Sequence, residues 1–243
     1  MPPGGGWPGV QGGLRDPVAD GGDRRARGYG GPVAVLPMFP LGSVLFPGGV
    51  LPLHVFEPRY RALVQDCLTR EDPEFGVTLI ERGSEVGGGD TRTDVGTVAR
   101  ILEVGALDDG RYALLTVGVR RIRVTAWLPD DPYPQAEVDD WPDDDPADPD
   151  ALQERVAPML TTVRRLHALR AELAEGVPLP DVELAEEPVL ASYHLATLAP
   201  VGPADDLRLL RAPGPAERLE LLENLLHDEE LVLRFRLGGD SDS

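Results

Sequence analysis

The chain has 243 residues, 42% hydrophobic and 27% charged, which suits one or two domains with a buried core. A formal net charge of −19 argues against nucleic acid and anionic membrane surfaces, because affinity for both comes from cations on the protein. A single cysteine, Cys67, excludes an internal disulfide and a multi-cysteine zinc site, and no stretch approaches the ~20 apolar residues that span a bilayer.

Residues 1–31 are rich in Gly, Pro, Asp and Arg without apolar periodicity, and read as a disordered tail. The opening Met-Pro-Pro-Gly-Gly-Gly lacks the basic and apolar regions of a signal peptide, so the expected location is cytoplasmic. Two short apolar runs follow, Val33–Phe39 and Val44–Phe46, and the turn Pro47-Gly48-Gly49 separates off a third, Val50–Phe56. Prolines 37, 40, 47 and 52 predict short, interrupted strands, since Pro is tolerated at strand edges and ends. Glu57-Pro58 reads as a helix start. Pro fits the first helical position, and the carboxylate before it faces the positive end of the helix dipole. The helix is predicted over Pro58–Thr69, with Tyr60, Leu63, Val64, Cys67 and Leu68 on one face.

Further strands are predicted at Phe75–Glu81, Val95–Leu107, Tyr112–Val117, Val119–Trp127 and Gln135–Val138. A glycine loop (Gly87-Gly88-Gly89) lies between the first two, and the Asp108-Asp109-Gly110 turn makes the next pair a hairpin. Residues 139–150, acidic and Pro-rich, read as a linker between a β-rich domain (32–138) and a helical subdomain (151–237). The linker acids lack the Gly and terminal Glu of a calcium loop. In the helical part, Asp150 and Gln153 make a capping-box signal ahead of a stripe from Leu152 to Leu173, with Pro158 as a kink or irregular start. Helices are also predicted at Pro188–Leu198, Asp205–Arg211 and Pro215–Arg236, the last with a break near His227-Asp228, before a disordered end at 238–243.

The run from Leu36 to Tyr60, with its fixed Pro and Gly punctuation, resembles the opening of the Lon-protease N-terminal domain, a substrate-binding, PUA-like module. Gly96-Thr97-Val98-Ala99-Arg100-Ile101, the Asp-Gly turn and Gly118-Val119-Arg120-Arg121-Ile122 look like that family's later strands. Pro215-Ala216-Glu217-Arg218-Leu219-Glu220-Leu221-Leu222 looks like its closing helix. The resemblance implies an α+β fold, a PUA-like β pseudo-barrel with one helix followed by a C-terminal α-helical bundle. Full-length Lon proteases also carry an ATPase with a phosphate-binding Lys and a Ser-Lys peptidase. All 23 basic residues here are Arg, so neither can exist within these residues. Arg supplies neither the compact point charge on terminal phosphates nor an amine able to act as a base.

No catalytic constellation is found. His54, His167, His194 and His227 form no His-x-x-x-His pair, Ser43 lacks a nucleophile elbow, and the paired acids at 186–187 and 205–206 sit at helix starts. No metal or cofactor is expected. Phe39, Pro40, Leu45, Phe46 and Pro47 are expected to form an exposed apolar patch beside the helix carrying Arg59, and to grip polypeptide. The expected function is thus non-catalytic recognition of exposed hydrophobic segments in protein quality control, with any degradation left to a separate ATP-dependent protease. The alternatives are a regulatory adaptor of such a protease, or an RNA-binding module in which Arg100, Arg120, Arg121 and Arg123 form a basic stripe.

Overall fold

The computed structural model describes residues 34–82 and 91–239. The tail expected at 1–31, the glycine loop at 87–89 and residues 240–243 lie outside the described residues. Six strands and five helices follow one another within that range. They are β1 (Ala34–Leu41), β2 (Val50–Val55), α1 (Pro58–Leu68), β3 (Glu74–Arg82), β4 (Thr91–Ala106), β5 (Tyr112–Leu128), β6 (Gln135–Asp140), α2 (Pro149–Glu172), α3 (Pro188–Leu198), α4 (Pro203–Arg211) and α5 (Pro215–Gly239).

The strands form one sheet in the order β2-β5-β4-β3-β1-β6, and β6 also pairs with β5. Five strands therefore close into a ring, and β2 stays outside it, paired on one side to the first half of β5. The sequence suggests two strands where β5 runs unbroken. Its first half takes β2 as neighbour and its second half takes β6, with the change at Gly118. Val44–Phe46 is not a strand, and its side chains enter the cores instead. The prolines of β1 are accommodated by a similar exchange of partners. Ala34–Pro37 pairs with β6 and Met38–Leu41 with β3, so each half of β1 has one side free of ladder bonds. A residue without an N–H fits there. Pro52 lies in the outer strand β2 for the same reason.

Three apolar clusters hold the chain. Leu36, Met38, Val98, Ile122, Ala136 and Val138 fill the ring. Tyr60, Leu63, Val64 and Cys67 of α1 pack on Phe39, Phe75, Ile101 and Leu114, and Phe39 stacks on Tyr60 with centroids 4.1 Å apart. The largest cluster joins α2, α3, α4 and α5, and also takes in Phe46 and Val95 from the strand half. Strands and helices accordingly belong to one compact unit.

The helix signals are mostly realised, with informative shifts. Asp148, not Asp150, caps α2 and accepts from the Ala151 N–H at 3.0 Å, because Pro149 takes the first helical position. Helix α2 continues through Pro158, and α5 is continuous past His227. The acidic segment after β6 is largely exposed but is tied to the rest of the fold at several points. Trp141 N donates to Arg121 O at 2.9 Å, Asp144 N donates to Pro213 O at 3.0 Å, and Asp143 lies in the most polar part of the interior.

Candidate functional site

The expected apolar patch is not at the surface. Phe39, Pro40, Leu45, Phe46 and Pro47 are all buried, Phe46 to 3% exposure. Phe39 belongs to the core under α1, and Phe46 reaches into the helical cluster with its ring 6.2 Å from that of Tyr193. The Pro47-Gly48-Gly49 turn is clamped on both sides. Gly48 N donates to Gly118 O and Gly118 N donates to Gly49 O, at 2.8 and 2.9 Å. On the other side a Cβ at Gly48 would stand 2.6 Å from Leu190 Cδ1 and 2.8 Å from His194 Nε2. The φ of +78° at Gly48 also favours glycine. Burial of these residues follows from the helices that cover them, which a strand-by-strand reading does not supply. Arg59 is half-buried, ion-paired to Glu57 at 3.1 Å and set over the Tyr60 ring at 4.5 Å.

Beside this turn lies a network of buried charge. The side chains of Arg121 on β5 and Arg218 on α5 are 1% and 0% exposed, and both bind Asp143. Arg121 also donates to Trp141 O and to Leu210 O, whereas Arg218 reaches Leu209 O and Ser192 Oγ. Two of these acceptors, Leu209 O and Leu210 O, are carbonyls at the C-terminal end of α4, the negative end of its dipole. Tyr193 Oη donates to Asp143 at 2.6 Å, and burial raises its pKa far enough to keep the phenol neutral. Burial also lowers the pKa of Arg121, but an arginine starts high enough to stay charged. Strand and helical halves are thus locked through one carboxylate.

The arginines proposed as a basic stripe are committed elsewhere. Arg100 and Arg120 both hold Glu74, at 2.7 and 2.6 Å, and Arg120 also holds Asp140. Burial pushes the Glu74 carboxyl up, yet the two guanidiniums outweigh it and hold it below the usual carboxylate range. Arg121 is internal, and Arg123 stacks on Trp141 at 3.7 Å.

One exposed apolar surface lies on the outer face of β2, β5 and β4, and exposed apolar side chains also stand on α5 at Leu231, Val232 and Phe235. Alternation along β2 sends Leu51, Leu53 and Val55 toward α1 and Val50, Pro52 and His54 outward. Cross-strand partners of the outward set are Val117, Leu115 and Ala113, all half-buried. Leu102 stands at an irregularity of β4 on the same side and is 43% exposed, while Val50 is 63% and Phe56 55% exposed. No other element covers this face among the described residues. Sequence reasoning missed it although the signal was present, in the alternating Val50–Phe56 run and its partner Ala113–Val117.

Among the described residues no group of three or more His, Cys, Asp or Glu is arranged to hold a metal ion, and no helix is long and apolar enough to cross a membrane. The lone Cys67 is buried, which raises its pKa to about 11 and leaves it a poor nucleophile.

Comparison with known proteins places this architecture. The family model described as the ATP-dependent protease La (LON) substrate-binding domain matches residues 35–228. Lon protease 2 of Myxococcus xanthus is 31% identical over 85% of this chain, and Lon protease of Anaeromyxobacter dehalogenans is 30% identical over 86%. The chain spans about a quarter of the length of these relatives (25% of each). The crystal structure of a Lon N-terminal domain protein from Xanthomonas campestris superposes with a TM-score of 0.57 at 30% identity, covering 79% of this chain and 98% of that one. The N-terminal domain of Mycobacterium avium complex Lon protease, 20% identical with a TM-score of 0.55, shares the fold over 80% of this chain and 99% of its own. The matched region is the substrate-binding domain of the family model, and the chain belongs to the Lon substrate-binding domain family.

Proposed function

We propose that this chain is a polypeptide-recognition module that binds exposed hydrophobic segments of non-native proteins through the outer face of β2, β5 and β4. The ring of strands with one helix packed against it is read as PUA-like, and α2–α5 as the helical bundle that braces it. The observation that carries the reading is the uncovered apolar strip formed by Val50, Pro52, Phe56, Leu102 and the half-buried Leu115 and Val117. Contiguous apolar surface of this kind marks an interaction site. Each Å² of it that a client covers contributes about 25 cal/mol before the cost of ordering the client, so individual contacts are weak and reversible. Pro52 lacks the N–H that a strand added at the β2 edge would use, so the client lies across the face and does not extend the sheet.

Binding needs no chemistry from the module. It delivers clients to a cytoplasmic ATP-dependent protease, whose ATPase and peptidase lie outside these residues. The RNA-binding alternative is not favoured, because its four arginines are paired, stacked or internal. Fluorescence anisotropy with a labelled, permanently unfolded protein, its folded counterpart and single-stranded RNA tests the proposal. Saturable binding to the unfolded chain alone is expected. Preferential binding to RNA with steep salt dependence, or to none of the three, would overturn it.

A further inference from the structure

One arginine stands apart from the rest. Among the described residues, every other buried or half-buried arginine holds a carboxylate: Arg59, Arg92, Arg100, Arg120, Arg121, Arg155, Arg164, Arg170 and Arg218. Arg61 is half-buried and has none, and its Nε is buried without a hydrogen-bond partner. This is notable in a chain whose acids outnumber its bases by 42 to 23. The guanidinium lies against the β4–β5 turn, where Gly110 has a φ of +78° and an added Cβ would stand 2.5 Å from Nη2. Asp109 on that turn is not available to it, being bound to Arg111 at 2.6 Å. Gln65, one turn along α1, is occupied as well, donating to Tyr112 Oη at 3.2 Å. Exposed apolar side chains stand on both sides of Arg61 along the chain: Phe56 before the helix at 55% and Leu68 at its end at 45%, with Leu107 at the base of the turn at 40%. The spacing from Arg61 to Leu68 is seven positions, so both occupy the same face of α1.

We propose that Arg61, on α1 beyond the Phe56 end of the outer strip, is a charge anchor for the bound polypeptide and takes an Asp or Glu side chain set between apolar residues of the bound segment. The inference rests on the proposed function and adds a chemical preference to it. A planar guanidinium without a carboxylate of its own matches one, and partial removal from water strengthens the pair. Apolar surface on both sides matches an acidic residue inside a segment and not a chain terminus. The acidity of the module explains why one such carboxylate is selected and not a run of them, because repeated acids are repelled.

The test uses the full chain and short, N-acetylated, C-amidated apolar peptides that carry one central Glu or Gln, with a third arm that places the only carboxylate at a free C-terminus of the Gln peptide. The Glu peptide is expected to bind about fivefold more tightly than the amidated Gln peptide at low salt. That preference should vanish in Arg61→Gln, which should bind the amidated Glu and Gln peptides equally, and survive in part in Arg61→Lys. Equal binding of the amidated Glu and Gln peptides, a preference that persists in Arg61→Gln, or a free terminus that substitutes fully for Glu would overturn the anchor while leaving polypeptide recognition intact. Failure of every peptide to bind would overturn the underlying reading and the anchor with it.

Discussion

Residues 36–49 and residues 50–56 are adjacent in sequence, similarly apolar and similarly punctuated by proline, yet they have opposite fates. The first segment is largely interior, with Phe46 at 3% exposure between strands and helices. The second alternates, and sends Val50, Pro52 and His54 out on a face that nothing covers among the described residues. Apolar composition therefore did not separate core from contact surface here. What separated them was the layer packed on each face: helices α1 and α3 on the first segment, nothing on the outer side of the second. Damage to the two regions should differ in kind, as lost stability in one and lost binding in the other.

The largest effect is expected at the lock. Asp143→Ala leaves Arg121 and Arg218 buried without their shared carboxylate, which costs about 3–5 kcal/mol. Calorimetry should then show Tm falling by roughly 10 °C, at 2–4 °C per kcal/mol for a domain of this size. Gly48→Ala comes next. It meets Leu190 and His194 and occupies a left-handed backbone position, at a cost of about 2 kcal/mol by denaturant unfolding. Binding to an unfolded client should fall in either variant only as far as the folded fraction falls.

The outer face should behave in the opposite way. Val50→Asp combined with Phe56→Asp removes apolar contact area from exposed positions, 63% and 55% accessible in the native chain. Tm should move by only a degree or two, since surface changes rarely exceed ~0.5 kcal/mol each, while client affinity measured by anisotropy should drop about tenfold. An unaltered affinity would end the distinction between the two regions.

The smallest effect is set by pH. Burial first, and the neighbouring Asp205 second, push the Asp206 carboxyl on α4 up to about 7 from 3.8. The native state then holds more protons than the unfolded chain between about pH 4 and 7, so stability declines as pH rises through that window and levels off above it. Asp206→Asn should flatten the decline and raise Tm at pH 8 by a few degrees, an effect moderated because the carboxyl is partly solvated. A pH profile of thermal unfolding that is identical in wild type and variant would contradict this.

Local rules made much of the fold legible. The Pro58 helix, the Asp-Gly hairpin and the stripe on α2 all follow from spacing, capping and turn chemistry within a few residues. The errors share a cause, which is dependence on partners distant in sequence. Gly118 looked like a strand end because the exchange of β2 for β6 as neighbour is invisible in β5 itself. Arg121 reads as part of a surface basic stripe because two of its carbonyl partners lie about ninety positions on, at Leu210 and Ala212. The acidic segment reads as a linker because Asp143 is distinguished from Asp144 and Asp145 by partners distant in sequence, two guanidiniums and the Tyr193 hydroxyl. For the site, the alternating pattern of Val50–Val55 was sufficient to mark one face as outward, and the apolar weight of residues 36–49 drew attention away from it.

The most direct measurement is a backbone amide NMR titration of the isotopically labelled chain with a permanently unfolded client. Shifts are expected to concentrate at Val50–Phe56 and Ala113–Val117 and to spare Leu45–Gly49, where the turn is shut between Gly118 and α3. Shifts centred on the buried turn would mean that clients enter by opening the joint, and the outer face would then not be the recognition surface.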